Sequence, residues 1–135
     1  AKTKRFLDTG QFMAVQKAGI AALDSWESWV PGNVAVFRER RDAAVAAFRA
    51  HGFTVSEVPK ASMYLWVPLP EGVQSIAFHE RLMEEEGVIV LGGAALGAGG
   101  KGFFRISFVT SPERIAEAAK RAGRVLRTMV SEAKG

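Results

Sequence analysis

Phe103-Phe104-Arg105-Ile106-Ser107-Phe108-Val109 is the stretch from which the rest of this chain can be ordered. It alternates with period two. Phe104, Ile106 and Phe108 fall on one face, the expected core side, and Phe103, Arg105, Ser107 and Val109 on the other, so the segment reads as a half-buried strand. Directly before it runs a glycine-dense loop, Gly92-Gly93-Ala94-Ala95-Leu96-Gly97-Ala98-Gly99-Gly100-Lys101-Gly102. Directly after it, Ser111-Pro112-Glu113 is a helix start, with Ser111 as cap and Pro112 at the first helical position, where its missing N–H costs nothing. The helix that follows carries an apolar stripe of Ile115, Ala118, Ala119, Ala122, Val125, Leu126, Met129 and Val130.

Working upstream, Val88 to Leu91 is a short apolar strand. Ser75 to Gly87 is a helix with Ile76, Phe78, His79, Leu82 and Met83 toward one side and Glu84, Glu85 and Glu86 exposed. Met63 to Leu69 (MYLWVPL) is a strand rich in aromatic and β-branched residues, and Pro68 marks its end or an exposed edge. Phe53 to Val58 also alternates, and with Pro59-Lys60-Ala61-Ser62 as the turn it predicts a hairpin with Met63 to Leu69. Two helices open the chain. The first, from Phe12 to Trp29, spaces Val15, Ala18, Gly19, Ala22, Leu23 and Trp26 at three and four. Pro31-Gly32 interrupts, and Asn33 is a suitable cap for a second helix running to His51, with Val34, Phe37, Arg41, Ala44, Val45 and Phe48 on its buried side and Gly52 as its stop. The order α, α, β, β, α, β, β, α predicts an α+β fold, a small mainly antiparallel sheet covered by helices.

The 135 residues correspond to about one domain with a real core. The absence of Cys excludes disulfides, thiolate nucleophiles and sulfur-ligated metals, and two His make a His-based metal site a poor reading. The longest apolar runs fall far short of the ~20 residues a membrane span requires. A net charge of +4 permits acidic partners. However, the cationic residues Arg38, Arg40, Arg41, Arg49, Lys120, Arg121, Arg124 and Arg127 are interspersed with Glu39, Asp42, Glu113 and Glu117, the pattern of a solvated helix surface.

Several short motifs fail on context. Gly97-x-Gly99-x-x-Gly102 leads into a strand, whereas a dinucleotide fingerprint opens a helix whose N-terminus meets the pyrophosphate. The loop then reads either as a flexible surface loop or as one whose backbone approaches a ligand closely. His79-Glu80 lacks the second His of a zincin, since Met83 stands in its place. Ser131-x-x-Lys134 matches a serine-lysine pair by spacing alone. Arg105 stands apart. In mid-strand on a mixed face, it is either an ordinary solvent-facing arginine or a planar fork for a carboxylate or phosphate.

Lys2-Thr3 through Asp8-Thr9-Gly10-Gln11-Phe12-Met13-Ala14-Val15-Gln16-Lys17-Ala18, then Phe37-Arg38-Glu39-Arg40-Arg41-Asp42, then Lys60-Ala61-Ser62-Met63-Tyr64-Leu65-Trp66-Val67-Pro68-Leu69-Pro70, and finally Gly87-Val88-Ile89-Val90 and Gly102-Phe103-Phe104-Arg105-Ile106-Ser107-Phe108 resemble the C-terminal part of the class I/II aminotransferases of fold type I. The stretch from Asp8 to Ala18 is similar to the diaminopimelate aminotransferase group. The resemblance implies that residues 31–135 are the C-terminal small domain and that residues 1–30 are the end of the large domain, a helix on the dimer and active-site side. It implies that Arg105 binds the α-carboxylate of the substrate. It places Thr9, where the related enzymes often carry Asn, among the substrate-binding residues. The loop departs from the family, which usually has Pro-Gly where Gly92-Gly93 stands and an aromatic residue near Leu96.

In the family the Schiff-base lysine, the aspartate on the pyridine nitrogen and the phosphate ligands belong to the large domain upstream. The resemblance therefore implies no catalytic and no cofactor-binding residue in this chain, no cofactor bound to it alone and no activity by itself. For a longer parent it implies pyridoxal 5'-phosphate, amino acid and 2-oxo acid substrates, a homodimer, a cytoplasmic location, and neither nucleic-acid nor membrane partners. The opening Ala1-Lys2-Thr3, without Met or cap, is then expected to be a cut in a longer chain. From a different class, a stand-alone basic α+β module binding nucleic acid or a protein partner is the competing expectation.

Overall fold

A computed structural model describes Gly10 and residues 12–133. The chain divides between Val36 and Phe37 into two compact units. Its elements are α1 (Met13–Asp24), α2 (Trp26–Ala50), β1 (Tyr64–Pro68), α3 (Ser75–Glu86), β2 (Leu91–Gly92), β3 (Phe103–Ser107) and α4 (Pro112–Glu132), with two 3-10 turns, Gly93–Leu96 and Ala98–Gly100, inside the glycine loop.

In the first unit, α1 buries no residue. Phe12, Leu23 and Trp29 are 75%, 73% and 66% exposed. The break between helices falls at Ser25, not at the expected Pro31-Gly32-Asn33. The Ser25 carbonyl accepts the N–H groups of Ser28 (3.1 Å) and Trp29 (3.2 Å), and the Ser28 hydroxyl donates to the same oxygen at 2.8 Å. Pro31 lies inside α2. It removes one bond to the Glu27 carbonyl, but Glu27 and Pro31 are both exposed, so water can take the place of the missing donor.

In the second unit, the three strands are ordered β1-β3-β2, and both pairings are antiparallel. This is the expected α+β architecture with one strand reassigned. Residues 53–59 lie outside any strand, so the hairpin expected between Phe53–Val58 and Met63–Leu69 does not form, and β1 pairs with β3 instead. The alternation in FTVSEV reflects burial without a ladder. Phe53 and Val55 face the core, while the Val55 carbonyl accepts Arg49 Nε and Nη2 at 3.0 and 2.6 Å, an arginine doing what a neighbouring strand would have done. The three remaining strands also differ from their expected ranges: β1 and β3 are shorter than the expected 63–69 and 103–109, and β2 starts only at the last residue of the expected 88–91 and runs into Gly92.

The core lies on one face of this sheet. Leu65, Val67 and Phe104 are each 0% exposed, and the Phe104 ring meets those of Phe48, Phe53 and Phe78 at centroid distances of 5.9, 5.4 and 5.0 Å. Tilted and edge-on aromatic pairs at such distances contribute ~0.5–1.5 kcal/mol each beyond their burial. The Ser111 cap is extended, with Pro112 at the helix start as expected. α4 buries Ile115, Ala119, Ala122, Val125 and Leu126 from the predicted stripe, and also Gly123. A Cβ at 123 would stand 2.7 Å from the His51 carbonyl, so this glycine lets α4 approach the end of α2 closely.

Candidate functional site

Because antiparallel partners share a face, the register Tyr64↔Ser107, Trp66↔Arg105 and Pro68↔Phe103 fixes the outward surface of the sheet. Leu91 joins it from β2, opposite Arg105. Arg105 thus occupies the central strand with its backbone held on both sides, the most rigid position a sheet of this size offers. Trp66 and Phe103 stack at 5.4 Å with an interplanar angle of 17°. The guanidinium carbon of Arg105 lies over the Tyr64 ring, 4.1 Å from its centroid. A groove beside this surface is lined by Glu57, Lys60, Tyr64, Trp66, Gly99 and Phe103, among others.

Among the described residues Arg105 has no hydrogen bond and no ion pair, unlike most of the arginines considered with it. Arg40 donates to the Val109 carbonyl, Arg41 pairs with Asp42, and Arg49 holds Val55. Arg121 holds Glu117 and the Glu86 carbonyl, and Arg124 grips both oxygens of Glu86 at 2.7 and 2.6 Å. The Arg124 hydrogen bond keeps the Glu86 carboxyl below the ordinary carboxylate range. The predicted basic helix surface is therefore largely engaged in internal contacts, whereas the fork of Arg105 makes none among the described residues.

The glycine loop is packed at Gly93 and Gly100. A Cβ on Gly100 would overlap the Gly93 carbonyl, and one on Gly93 would clash with the Gly100 carbonyl and stand 2.8 Å from Trp66 Cη2. The Ala94 N–H reaches the buried Ser75 hydroxyl at 3.3 Å. The loop backbone thus closes on itself and against the Trp66 edge of the site.

Thr9 lies outside the described residues, as does Lys134 of the serine-lysine spacing. No group of three potential metal-ligating side chains occurs among the described residues, and none of the described helices is long and apolar enough to cross a membrane. Sequence reasoning missed Tyr64 as a site residue. Its strand was legible, but its position against Arg105 follows from a pairing that the expected hairpin had assigned elsewhere.

The fold and site together define a small α+β unit in which Arg105, without a hydrogen-bond or ion-pair partner among the described residues, stands on an aromatic sheet face. The family model of aminotransferase class I and II matches residues 4–121, and the chain belongs to this family. It is 43% identical over 126 residues to the LL-diaminopimelate aminotransferase of Moorella thermoacetica, covering 93% of this chain and 32% of that protein. To that of Oleidesulfovibrio alaskensis it is 41% identical over 120 residues, covering 89% and 31%. Among solved structures, a "probable N-succinyldiaminopimelate aminotransferase" from Thermus thermophilus superposes with a TM-score of 0.84 at 38% identity, covering 92% of this chain and 33% of that one. An aminotransferase from Staphylococcus aureus gives 0.82 at 28% identity, covering 93% and 33%. The chain spans about a third of the length of these relatives.

Proposed function

We propose that this chain is the C-terminal part of a pyridoxal-phosphate-dependent aminotransferase, and that Arg105 binds the α-carboxylate of its amino acid and 2-oxo acid substrates. The observation that carries the reading is the unpaired guanidinium of Arg105 on the central strand. A bidentate clamp on the carboxylate fixes two points of the substrate and so presents the bonds at Cα in one orientation, which lowers the barrier to whatever reacts there.

Pyridoxal phosphate requires a lysine for the imine, a carboxylate for the ring nitrogen and donors for the phosphate, all in one place. The groove beside the sheet brings Lys60 and Glu57 together, yet its lining holds no second cation for a phosphate. These residues do not fit the cofactor. Our reading assigns that task to a large domain outside this chain, with residues 1–30 as its end and residues 31–135 as the small domain. The exposure of large apolar residues such as Phe12, Leu23 and Trp29 supports this assignment, since such residues are often covered by a partner surface. In keeping with the family reading, the parent is a cytoplasmic homodimer, Thr9 is a further substrate contact, and this chain alone is inactive. The relatives bearing a diaminopimelate aminotransferase name make a diamino dicarboxylic acid the first substrate to try.

In the full-length enzyme, Arg105→Ala should lower kcat/KM for the amino acid about 100-fold or more and leave cofactor affinity unchanged. Equal loss of both would refute the carboxylate role. The chain by itself should show no cofactor absorbance and no transamination. A stand-alone nucleic-acid module would instead bind nucleic acid with a steep salt dependence, which titration with duplex and single-stranded probes at two salt concentrations would reveal.

A further inference from the structure

The side chain directly across from Arg105 is Trp66, yet the guanidinium lies over Tyr64, its diagonal neighbour. The packing explains why. Trp66 is already stacked on Phe103, and its Cη2 edge stands 2.8 Å from where a Cβ on Gly93 would be, so its ring is committed to the glycine loop. Tyr64 is free to take the cation and is itself firmly placed. Its N–H donates to the Ser62 hydroxyl at 3.3 Å, in a turn where Ser62 adopts a left-handed φ of 76°. The preceding Met63 carbonyl accepts the Phe108 N–H at 3.0 Å, which ties the start of β1 to the far end of the arginine strand.

We propose that Tyr64 is a positioning residue for Arg105: its ring holds the guanidinium in the orientation from which the arginine takes a substrate carboxylate. The inference rests on the carboxylate role of Arg105 argued above. A guanidinium carries its five donors at its edge and none on its faces, so a ring over one face leaves the fork available to a ligand. An arginine side chain otherwise loses much rotamer freedom when it clamps a ligand, and a ring that restrains it beforehand reduces that loss on binding. Among the described residues the Tyr64 hydroxyl makes no hydrogen bond, so the ring, not the phenol, carries the role.

The test uses the full-length holoenzyme with Tyr64→Phe, Tyr64→Leu, Tyr64→Gln and Arg105→Ala. The probes are the best amino donor from a panel of L-amino acids that carry a single α-amino-acid end, and the amine of the same skeleton without its α-carboxylate. The quantity read is the ratio of kcat/KM for the amino acid to that for the amine. Tyr64→Phe should keep the ratio. Tyr64→Leu and Tyr64→Gln should lower it about tenfold, through a KM for the amino acid that rises about tenfold more than any change in amine turnover. A merely structural tyrosine would depress both substrates together and leave the ratio intact, which would overturn the proposal, as would Tyr64→Phe losing as much as Tyr64→Leu. Arg105→Ala separates the two readings. If it leaves the ratio unchanged, the carboxylate role falls and the positioning role with it. If it collapses the ratio while Tyr64→Leu does not move it, only the positioning role falls.

Discussion

The two faces of the small sheet are built from alternate residues of the same strands and do opposite work. On one, Leu65, Val67 and Phe104 are sealed from solvent beneath the helices and locked into a cluster of phenylalanine rings. On the other, Tyr64, Trp66, Phe103 and Arg105 remain half-exposed, organised by ring stacking and a cation over a ring. The contrast teaches that one strand can supply stability and recognition at adjacent positions. Burial concentrates the folding energy on the first face, which leaves the second free to hold an unpaired charge that would be costly inside.

The largest expected effect breaks the first face. Phe104→Ala removes a ring that touches three others and should destabilise the protein by ~3–5 kcal/mol in urea unfolding. Arg105→Ala, one residue on, should cost under about 1 kcal/mol, because its contact is a single partly exposed cation–ring pair. Comparable losses at the two positions would abolish the distinction between the faces.

A smaller effect sharpens the boundary between the open face and the glycine loop. Gly100→Ala forces a Cβ into the Gly93 carbonyl and should cost ~1–3 kcal/mol through backbone displacement. It should also perturb the fluorescence of Trp66, which borders the same loop. Gly99→Ala meets no atom within 4 Å and should change stability by no more than about 0.5 kcal/mol. Equal effects at 99 and 100 would mean that the loop is loose after all.

The smallest effect lies away from both faces, where Arg124 of α4 grips Glu86 of α3. Arg124 lowers the folded-state pKa of Glu86, so the folded protein binds fewer protons than the unfolded chain across the acid range. The pair's contribution is complete above the ordinary carboxylate pKa and fades as pH falls through the lowered one. Glu86→Gln should therefore shallow the acid limb of the stability–pH profile and leave its slope above neutrality unchanged. An unaltered acid limb would show that the pair adds nothing to folding.

Much of this molecule is legible in its local sequence patterns. The alternation of Phe104, Ile106 and Phe108 against Phe103 and Arg105 assigns the faces of β3, and Ser111-Pro112 marks the start of α4. Elsewhere the same local reasoning fails in identifiable ways. FTVSEV alternates because two of its side chains reach the core, yet its carbonyl at Val55 is met by Arg49 and no strand forms. Pro31 has the look of a helix boundary, but an exposed helix tolerates one missing bond, and Ser25 makes the break. The glycines look alike in the sequence, but only some of them, Gly93 and Gly100 among them, allow two stretches of backbone to touch, while a Cβ at Gly97, Gly99 or Gly102 would meet nothing within 4 Å.

By itself the sequence determined the α+β class, the helix and strand periods, and the placement of Arg105 on the side of its strand away from the core. These depend on which residues recur every two or every three to four positions, a property of the chain alone. Only the tertiary structure decided that β1 lies against β3, that Trp66 is taken by Phe103 and the glycine loop, and that Tyr64 therefore receives the arginine. Partner and register are settled by contacts between residues far apart along the chain, and no local period carries that information.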